Sequence, residues 1–341
     1  MRTRTGPFEY LIGCNGAGKS NLISFFRMIQ QMLDGNLQVF VSRDGGPDSI
    51  LHFGRKTTET LRTELFFGNN AYQASFEATQ DNRLMIAEEG FRWNVSETTT
   101  IASGHFESKF EPGNTSGMDE SALRAMKKWR IYHFHDTSDS AYVKQIHRID
   151  DNDHLRSDGR NLAAFLYRLE RHHTREFSQI VQTIRLVAPF FGRFQLRPSP
   201  ENKETIELEW FEQGQDIPFK AHHLSDGTLR FICLATVFLQ PQTFQPETIL
   251  VDEPELGLHP YAVTTLASLI RSMSTSKQVI ISTQSVELLN EFDCEDVVVV
   301  DRVNSKSKFS RLQPERLSSW LEEYSLGELW KKNVLGGRPS R

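Results

Sequence analysis

The sequence contains no apolar stretch that approaches the ~20 residues of a membrane-spanning helix. Its basic start is followed by one apolar segment, Phe8–Ile12, which is too short for the apolar region of a signal peptide. Cysteine is scarce, and Cys14, Cys233 and Cys294 show no C-x-x-C spacing, which disfavours a disulfide framework or a zinc knuckle. We therefore expect a protein that contacts no membrane and works in the reducing cytoplasm.

A strong excess of positive charge is also absent. The 341 residues include 39 Lys and Arg against 44 Asp and Glu, which gives a formal net charge of -5. This balance disfavours a nucleic-acid coat protein or a polybasic membrane binder. DNA is still a candidate partner for a local basic face formed by Arg124, Lys127, Lys128 and Arg130 around Trp129, although a solvated charged face explains the same residues.

The periodicity of apolar residues predicts an α/β protein. Leu61–Trp93 alternates with period two and predicts an antiparallel meander, whereas Thr98–Glu120 is rich in Ser, Thr, Gly and Glu and is expected to be an exposed, flexible loop. Later in the chain, the apolar segments Ile249–Val251, Val279–Ile281 and Val297–Val300 are separated by helical patterns. Such strands indicate a parallel sheet that is covered on both faces.

The strongest motif is the segment Gly13–Ser20, which reads G-C-N-G-A-G-K-S and matches the P-loop pattern G-x-x-x-x-G-K-[ST]. A predicted strand precedes it and a predicted helix follows it. Glycines let the backbone N–H groups surround phosphates, Lys19 would reach the β- and γ-phosphates, and Ser20 would hold Mg²⁺. The residues predicted to bind ATP are Asn15, Gly16, Ala17, Gly18, Lys19, Ser20 and Asn21.

A second motif places two acids at the end of an apolar strand, Asp252 and Glu253 before Pro254. A carboxylate at the end of a buried strand is costly without a partner, and Mg²⁺ is the natural partner in a chain with a P-loop. Asp252 is then predicted to bind the metal through water, and Glu253 to polarise an attacking water. Taken alone, an apolar strand followed by two acids also occurs where a strand simply ends at the protein surface.

A third motif, Leu224–Thr228, places Ser225 and Gly227 at the start of a predicted helix. A helix N-terminus with these residues can bind an anion. An ordinary helix cap made by Ser225 or Asp226 is the alternative. The position of the motif between the P-loop and the acidic strand favours the anion site.

The three motifs in this order resemble the ABC-type ATPase head. The continuation Pro254–Pro260 is similar to the RecF/SMC/OLD-like branch, which includes bacterial "predicted ATPases" of the AAA family, and not to ABC transporters. The resemblance implies an α/β P-loop NTPase fold. Its parts would be a mixed or parallel core sheet, an antiparallel β lobe and an inserted helical lobe.

The resemblance also implies roles for residues and partners. Such heads form a homodimer that encloses two ATP molecules, with Glu253, Lys19 and Gln284 as catalytic residues of one subunit. Ser225, Asp226 and Gly227 would contact the γ-phosphate bound to the other subunit. The Mg²⁺ ligands would be Ser20, Asp252 and Gln145, and residues 255–258 would form the loop across the interface.

This sequence departs from the family pattern at several places. Heads of this type often carry a His where Gln284 stands, and Gln can donate a hydrogen bond but cannot take up charge, which bears on hydrolysis and not on ATP binding. Gln145 is the candidate for the glutamine of the Mg²⁺ loop. No adenine-contacting residue is assigned, because only 12 residues precede Gly13. His133 and His135 are expected to be structural or to lie at the fringe of the ATP site.

The motifs indicate one composite ATPase head over residues 1–341, since its distant parts must meet at one Mg²⁺. Its predicted segments are a P-loop and antiparallel β lobe (8–97), a flexible loop (98–120), an inserted helical and β lobe (121–223), a signature and Walker B lobe (224–303) and a C-terminal amphipathic segment with tail (304–341).

The resulting hypothesis is an ATPase that uses ATP and Mg²⁺ in DNA repair, recombination or anti-phage defence. Any effector, such as a nuclease or a toxin, is expected to be a separate protein. A non-catalytic, ATP-dependent dimerisation clamp or sensor is the main alternative. The ATPase subunit of a transporter is disfavoured by the residues Asp226–Thr228 and Glu255–Pro260.

Overall fold

The structure, a computed structural model, describes residues 8–94, 97–110 and 117–337. The chain folds as two units, of which the first contains Met1–Asn21 with Arg130–Arg341 and the second contains Leu22–Trp129. The first unit therefore combines segments from the beginning and the end of the sequence, and it contains all three motifs. None of the described helices is long and apolar enough to cross a lipid bilayer.

Strands and helices are numbered here in chain order within the described residues. The strands are β1 (Phe8–Ile12), β2 (Thr60–Phe67), β3 (Asn70–Ala78), β4 (Leu84–Trp93), β5 (Glu97–His105), β6 (Trp129–Tyr132), β7 (His147–Arg148), β8 (Phe191–Gln195), β9 (Thr205–Ile206), β10 (Glu209–Glu212), β11 (Phe219–Lys220), β12 (Thr248–Asp252), β13 (Gln278–Thr283), β14 (Val297–Val303) and β15 (Lys306–Arg311).

The α-helices are α1 (Lys19–Leu33), α2 (Leu37–Arg43), α3 (Pro47–Ile50), α4 (Gly117–Lys127), α5 (Leu162–His172), α6 (Thr174–Val187), α7 (Asp226–Leu239), α8 (Pro260–Ser274), α9 (Val286–Leu289), α10 (Pro314–Leu321) and α11 (Leu326–Lys331). Short 3₁₀ turns cover Tyr142–Lys144, Ala221–His223 and Cys294–Asp296.

A six-stranded sheet forms the core of the first unit, with the order β15-β14-β1-β13-β12-β6. Strands β1, β12, β13 and β14 pair in parallel, and β15 is antiparallel to β14. Successive side chains of a strand point to opposite faces, and both Ile280 and Ile281 are buried. The sheet is therefore covered on both faces, and this mixed core sheet confirms the predicted fold class.

Helix α8 shows how local sequence signals position the elements around this sheet. It begins at Pro260, because proline lacks the N–H that the first turn of a helix leaves unpaired. The ring of His259 accepts a hydrogen bond from the N–H of Tyr261 at 3.3 Å and so caps the helix. Val263 and Leu266 then face the core, one turn apart.

The second unit is built on a four-stranded antiparallel sheet with the order β2-β3-β4-β5, as the period-two pattern predicts. A tight turn pairs Phe67 with Asn70. Tyr72 and Phe76 are fully buried and belong to one core with Ile29 and Met32 of α1. The antiparallel sheet therefore has an apolar face that the helix covers.

The prediction that Thr98–Glu120 is a flexible loop is wrong for much of this range. Residues Glu97–His105 form strand β5, which pairs with β4, and Gly117–Lys127 form helix α4. The threonines that suggested a loop are β-branched residues that suit an exposed edge strand. Residues 111–116 of the predicted loop lie outside the described part of the chain.

The segment after β5 is held by a buried carboxylate, Glu89. This carboxylate accepts hydrogen bonds from the hydroxyl of Tyr72 at 2.6 Å, the hydroxyl of Ser108 at 2.5 Å and the N–H of Lys109 at 2.9 Å. It also lies 3.1 Å from Nε2 of His105. Because Glu89 has no exposed surface, these groups take the place of water around its carboxylate.

Replacement of Glu89 by Ala is expected to lower the free energy of unfolding by about 3 kcal/mol, since four polar groups lose the buried acceptor that they share. The exposed Glu64, which lies 3.5 Å from Arg92, provides a control. Glu64→Ala should cost less than about 1 kcal/mol, as for other surface ion pairs. Urea unfolding followed by tryptophan fluorescence compares the two variants, and equal losses would contradict the role of Glu89.

Candidate functional site

The P-loop motif lies where the sequence predicts it, between strand β1 and helix α1. Lys19 is the first residue of α1 and is almost fully buried. Its Nζ donates hydrogen bonds to the carbonyl oxygens of Gly13 at 2.6 Å and Cys14 at 3.2 Å. Burial lowers the pKa of Lys19, while the nearby Glu253 opposes this shift. The ammonium group is thus fixed over the loop, where a phosphate could replace the carbonyl partners.

Gly18 shows why the loop needs glycine. Its φ of +111° lies in a region that side chains disfavour. The side chain of Ser307 also lies against Gly18, so closely that a methyl group there would overlap with the serine hydroxyl. The loop therefore holds its shape only without a side chain at this position.

The two acids of the second motif lie at the same edge of the core sheet as the P-loop. In the parallel ladders, Ile12 pairs with Thr283, and Asp252 pairs with Ser282. The segments that follow β1, β13 and β12 therefore meet at one edge. The sheet register thus brings the P-loop, Gln284 and the pair Asp252–Glu253 to one edge of the sheet.

Glu253 and Gln284 form a direct contact at this edge. Nε2 of Gln284 donates a hydrogen bond to Oε1 of Glu253 at 2.6 Å. Glu253 has a φ of +42°, an uncommon value for a residue with a side chain, and its N–H is held by the carbonyl of Ser282 at 2.7 Å. Strained backbone of this kind is found at functional sites, where the surrounding structure fixes it.

Glu255 is a partly buried acid beside this pair, which the sequence indicates only as part of a connecting loop. Its Oε1 accepts a hydrogen bond from the hydroxyl of Thr283 at 2.5 Å, and that hydroxyl in turn accepts from the N–H of Ser285 at 2.9 Å. Burial raises the pKa of Glu255, and the charge of Glu253 raises it further. Glu255 therefore holds the Thr283 hydroxyl, which in turn holds the N–H of Ser285 on the other side of Gln284.

The third motif forms the start of helix α7. Oγ of Ser225 accepts a hydrogen bond from the N–H of Thr228 at 3.2 Å, so Ser225 is the N-cap residue. Ser225 and Asp226 are exposed, and Asp226 lies 3.8 Å from Nζ of Lys144. Among the described residues, no hydrogen bond or ion pair joins this motif to the P-loop of the same chain.

The start of α7 is connected to the loop after the acidic strand. Gly227 packs so closely on the carbonyl of Gly257 that a methyl group there would collide with it. The buried Arg230 donates to the carbonyls of Phe134 at 2.8 Å and of Leu256. Burial lowers the pKa of Arg230. The role of Arg230 is not evident from the sequence, because an arginine in an apolar helix gives no sign that distant carbonyls surround it.

The predicted metal ligand Gln145 is exposed, and its amide donates to the carbonyl of Ser140 at 2.7 Å. His135 lies nearer to the acidic strand, with Nε2 3.0 Å from the carbonyl of Asp252. Within the described residues there is no group of three or more His, Cys, Asp or Glu side chains that could hold a metal alone. The role of Gln145 stays a prediction.

The donor set at the sheet edge suits Mg²⁺ with a phosphate ligand. The hydroxyl of Ser20, at the exposed start of α1, and the carboxylate of Asp252 are oxygen donors. Mg²⁺ is usually held by one or two such side chains together with phosphate oxygens and water. The two side chains of Ser20 and Asp252 are therefore sufficient protein ligands for a Mg²⁺ ion that also binds phosphate.

Comparisons with known proteins agree with this fold. A family model described as "AAA domain, putative AbiEii toxin, Type IV TA system" matches residues 10–290. No curated protein matches the sequence. An SmcHead structure bound to the C-winged helix domain of ScpA has a TM-score of 0.54 and 17% identity, with 92% of each chain covered. An Smc head with an extended coiled coil from Pyrococcus furiosus has a TM-score of 0.52 and 17% identity, with 94% of each chain covered.

These comparisons confirm the family resemblance and the P-loop fold that the sequence predicts. At such low identity, the two head structures establish the fold alone.

Replacement of Lys19 by Ala is expected to weaken ATP binding by about 100-fold, because the charged hydrogen bonds to the phosphates are lost. Lys277→Ala is the matched control, since Lys277 lies before β13 at the opposite edge of the sheet, 3.4 Å from Glu247. Isothermal titration calorimetry measures both affinities. Equal ATP affinity in wild type and Lys19→Ala would refute the P-loop assignment.

Proposed function

Because the chain belongs to this family of AAA domains, we propose that it binds ATP with Mg²⁺ and hydrolyses it to ADP and phosphate. One observation carries the proposal. The carboxylate of Glu253 is held by Gln284 at 2.6 Å, at the sheet edge where Lys19 is fixed on the P-loop. A base and a phosphate-binding cation are thus positioned by the same set of strands.

In this proposal the N–H groups of residues 15–21 bind the phosphates, and Lys19 moves from its carbonyl partners to the β- and γ-phosphates. Ser20 and Asp252 would hold Mg²⁺, which would neutralise charge on the phosphate oxygens. Glu253 accepts the proton of the attacking water. Gln284 keeps the carboxylate of Glu253 aimed at that water, since its amide can donate but cannot take up a proton.

We place the signature residues Ser225, Asp226 and Gly227 on the ATP of a second copy of the chain. The exposure of Ser225 and Asp226, away from the hydrogen bonds of their own P-loop, supports this arrangement. ATP would then stabilise the homodimer, because the dimer binds it with more groups than the monomer does. Hydrolysis would release the two protomers.

The proposed pathway is anti-phage defence, with DNA repair or recombination as the other candidate. The family description, which refers to a toxin and a type IV TA system, supports defence. The similar head structure bound to the C-winged helix domain of ScpA supports a separate protein partner for this chain. DNA contact would be local, at the basic residues around Trp129.

A non-catalytic clamp or sensor is the second candidate, and Gln284 is the observation that favours it. A side chain that cannot take up charge stands where a His is often found, and slow hydrolysis would leave binding and dimerisation as the function. Single-turnover hydrolysis, measured with and without DNA, separates the two candidates. Phosphate release on a time scale of seconds to minutes supports the ATPase, whereas ATP that stays intact while bound supports the clamp.

Replacement of Glu253 by Gln is expected to trap an ATP-bound dimer, because the base is removed while Asp252 and Ser20 remain. Size-exclusion chromatography with ATP and Mg²⁺ should show a dimer for this variant. Glu247→Gln is the control, since Glu247 precedes β12 at the opposite edge of the sheet, and it should behave as wild type. A Glu253→Gln protein that stays monomeric with bound ATP would contradict the dimer model.

A further inference from the structure

The hairpin of β14 and β15 extends past the P-loop on the side away from the acidic strand. Strand β14 pairs in parallel with β1, so that Ile12 lies beside Val299. Gly13 packs against the backbone of Val300, and a side chain at Gly13 would collide with the Val300 carbonyl. The residues that follow Val300 therefore continue beside the loop itself.

One face of this hairpin is directed at the loop. Arg302 and Ser307 are cross-strand partners, so their side chains share a face. The side chain of Ser307 contacts Gly18, and Nη1 of Arg302 lies 4.0 Å from the position that a Cβ would have on Gly16.

The neighbouring cross-strand pair, Asp301 with Lys308, occupies the opposite face of the hairpin. There Oδ1 of Asp301 accepts a hydrogen bond from the N–H of Gly337 at 2.6 Å. The two faces thus differ. The face with Asp301 is occupied by Gly337 of the same chain, and the face with Arg302 and Ser307 is directed at the P-loop.

The guanidinium of Arg302 is exposed and accessible to a ligand. Within the part of the chain that the structure describes, its exposed side chain makes no hydrogen bond, ion pair or ring contact. It lies beside the N-terminus of helix α1, which is the positive end of the helix dipole and also carries Lys19. A guanidinium at this place can bind an anion or stack on an aromatic ring of a ligand.

The order of the strands indicates which part of a bound nucleotide would lie beside Arg302. Glu253 and Gln284 follow β12 and β13, on one side of β1, and Arg302 belongs to β14, on the other side. In the proposed function, on which this inference rests, the γ-phosphate points to Glu253. The nucleoside end then extends from the P-loop toward β14.

We propose that the face formed by Arg302 and Ser307 binds the nucleoside end of the nucleotide. The guanidinium of Arg302 stacks on the purine base, and the hydroxyl of Ser307 lies beside the ribose. Stacking uses the flat face of the ring and not its edge, so ATP and GTP are expected to bind with similar affinity.

Calorimetric titration of the full chain with two probes, ATP and inorganic tripolyphosphate, both with Mg²⁺, tests this assignment. Arg302→Ala should weaken ATP binding about tenfold and leave tripolyphosphate binding unchanged, because only ATP carries a base. Lys308→Ala, on the opposite face of the same hairpin, should bind both probes as wild type does. Equal thermal midpoints without ligand verify that the variants fold.

Unchanged ATP affinity in Arg302→Ala would overturn the inference. An equal loss for ATP and tripolyphosphate would overturn it as well, since it would place Arg302 on the phosphates. If wild type binds neither probe, the proposed function fails together with this inference. If wild type binds both probes and Arg302→Ala binds ATP as wild type does, the inference fails while the proposed function stands.

Discussion

The register of three parallel strands is the constraint on which the site depends. Pairing of Ile12 with Thr283 and of Asp252 with Ser282 places the ends of β1, β13 and β12 at one sheet edge. A shift of one residue in either ladder would turn the side chains of that strand to the opposite face. Both faces of these strands are buried in a close-packed core, so a shifted side chain would meet neighbours of the wrong shape. The hydrophobic core therefore fixes the distance between the P-loop lysine and the acidic pair.

The parts that could be predicted from the sequence are those with local signals. Continuous apolar runs predict buried strands, period-two alternation predicts the meander, and Pro260 marks the start of α8, because each pattern reports the environment of its own residues. The P-loop is recognisable since phosphate binding demands glycines and a lysine at fixed spacing. The contact between Glu253 and Gln284 follows once the strands are aligned in parallel.

The parts that the sequence does not reveal depend on distant partners. Strand β15 is polar because it pairs only with β14 at an edge of the sheet, and its backbone hydrogen bonds do not depend on apolar side chains. Arg230 and Glu89 are charged residues in buried positions, where the groups that compensate them come from other segments. The prediction of a loop at 98–120 is wrong over residues 98–105 for a related reason, because an exposed edge strand and a loop share a polar composition.

A crystal structure of the chain with Mg²⁺ and a non-hydrolysable ATP analogue tests the central claim most directly. The account predicts that the γ-phosphate lies between Lys19 and Glu253, within hydrogen-bond distance of Gln284 and of Ser225 of the partner subunit. It also predicts that Nζ of Lys19 leaves the carbonyls of Gly13 and Cys14. An analogue bound elsewhere, or a Lys19 that stays on those carbonyls beside the bound nucleotide, would contradict the account.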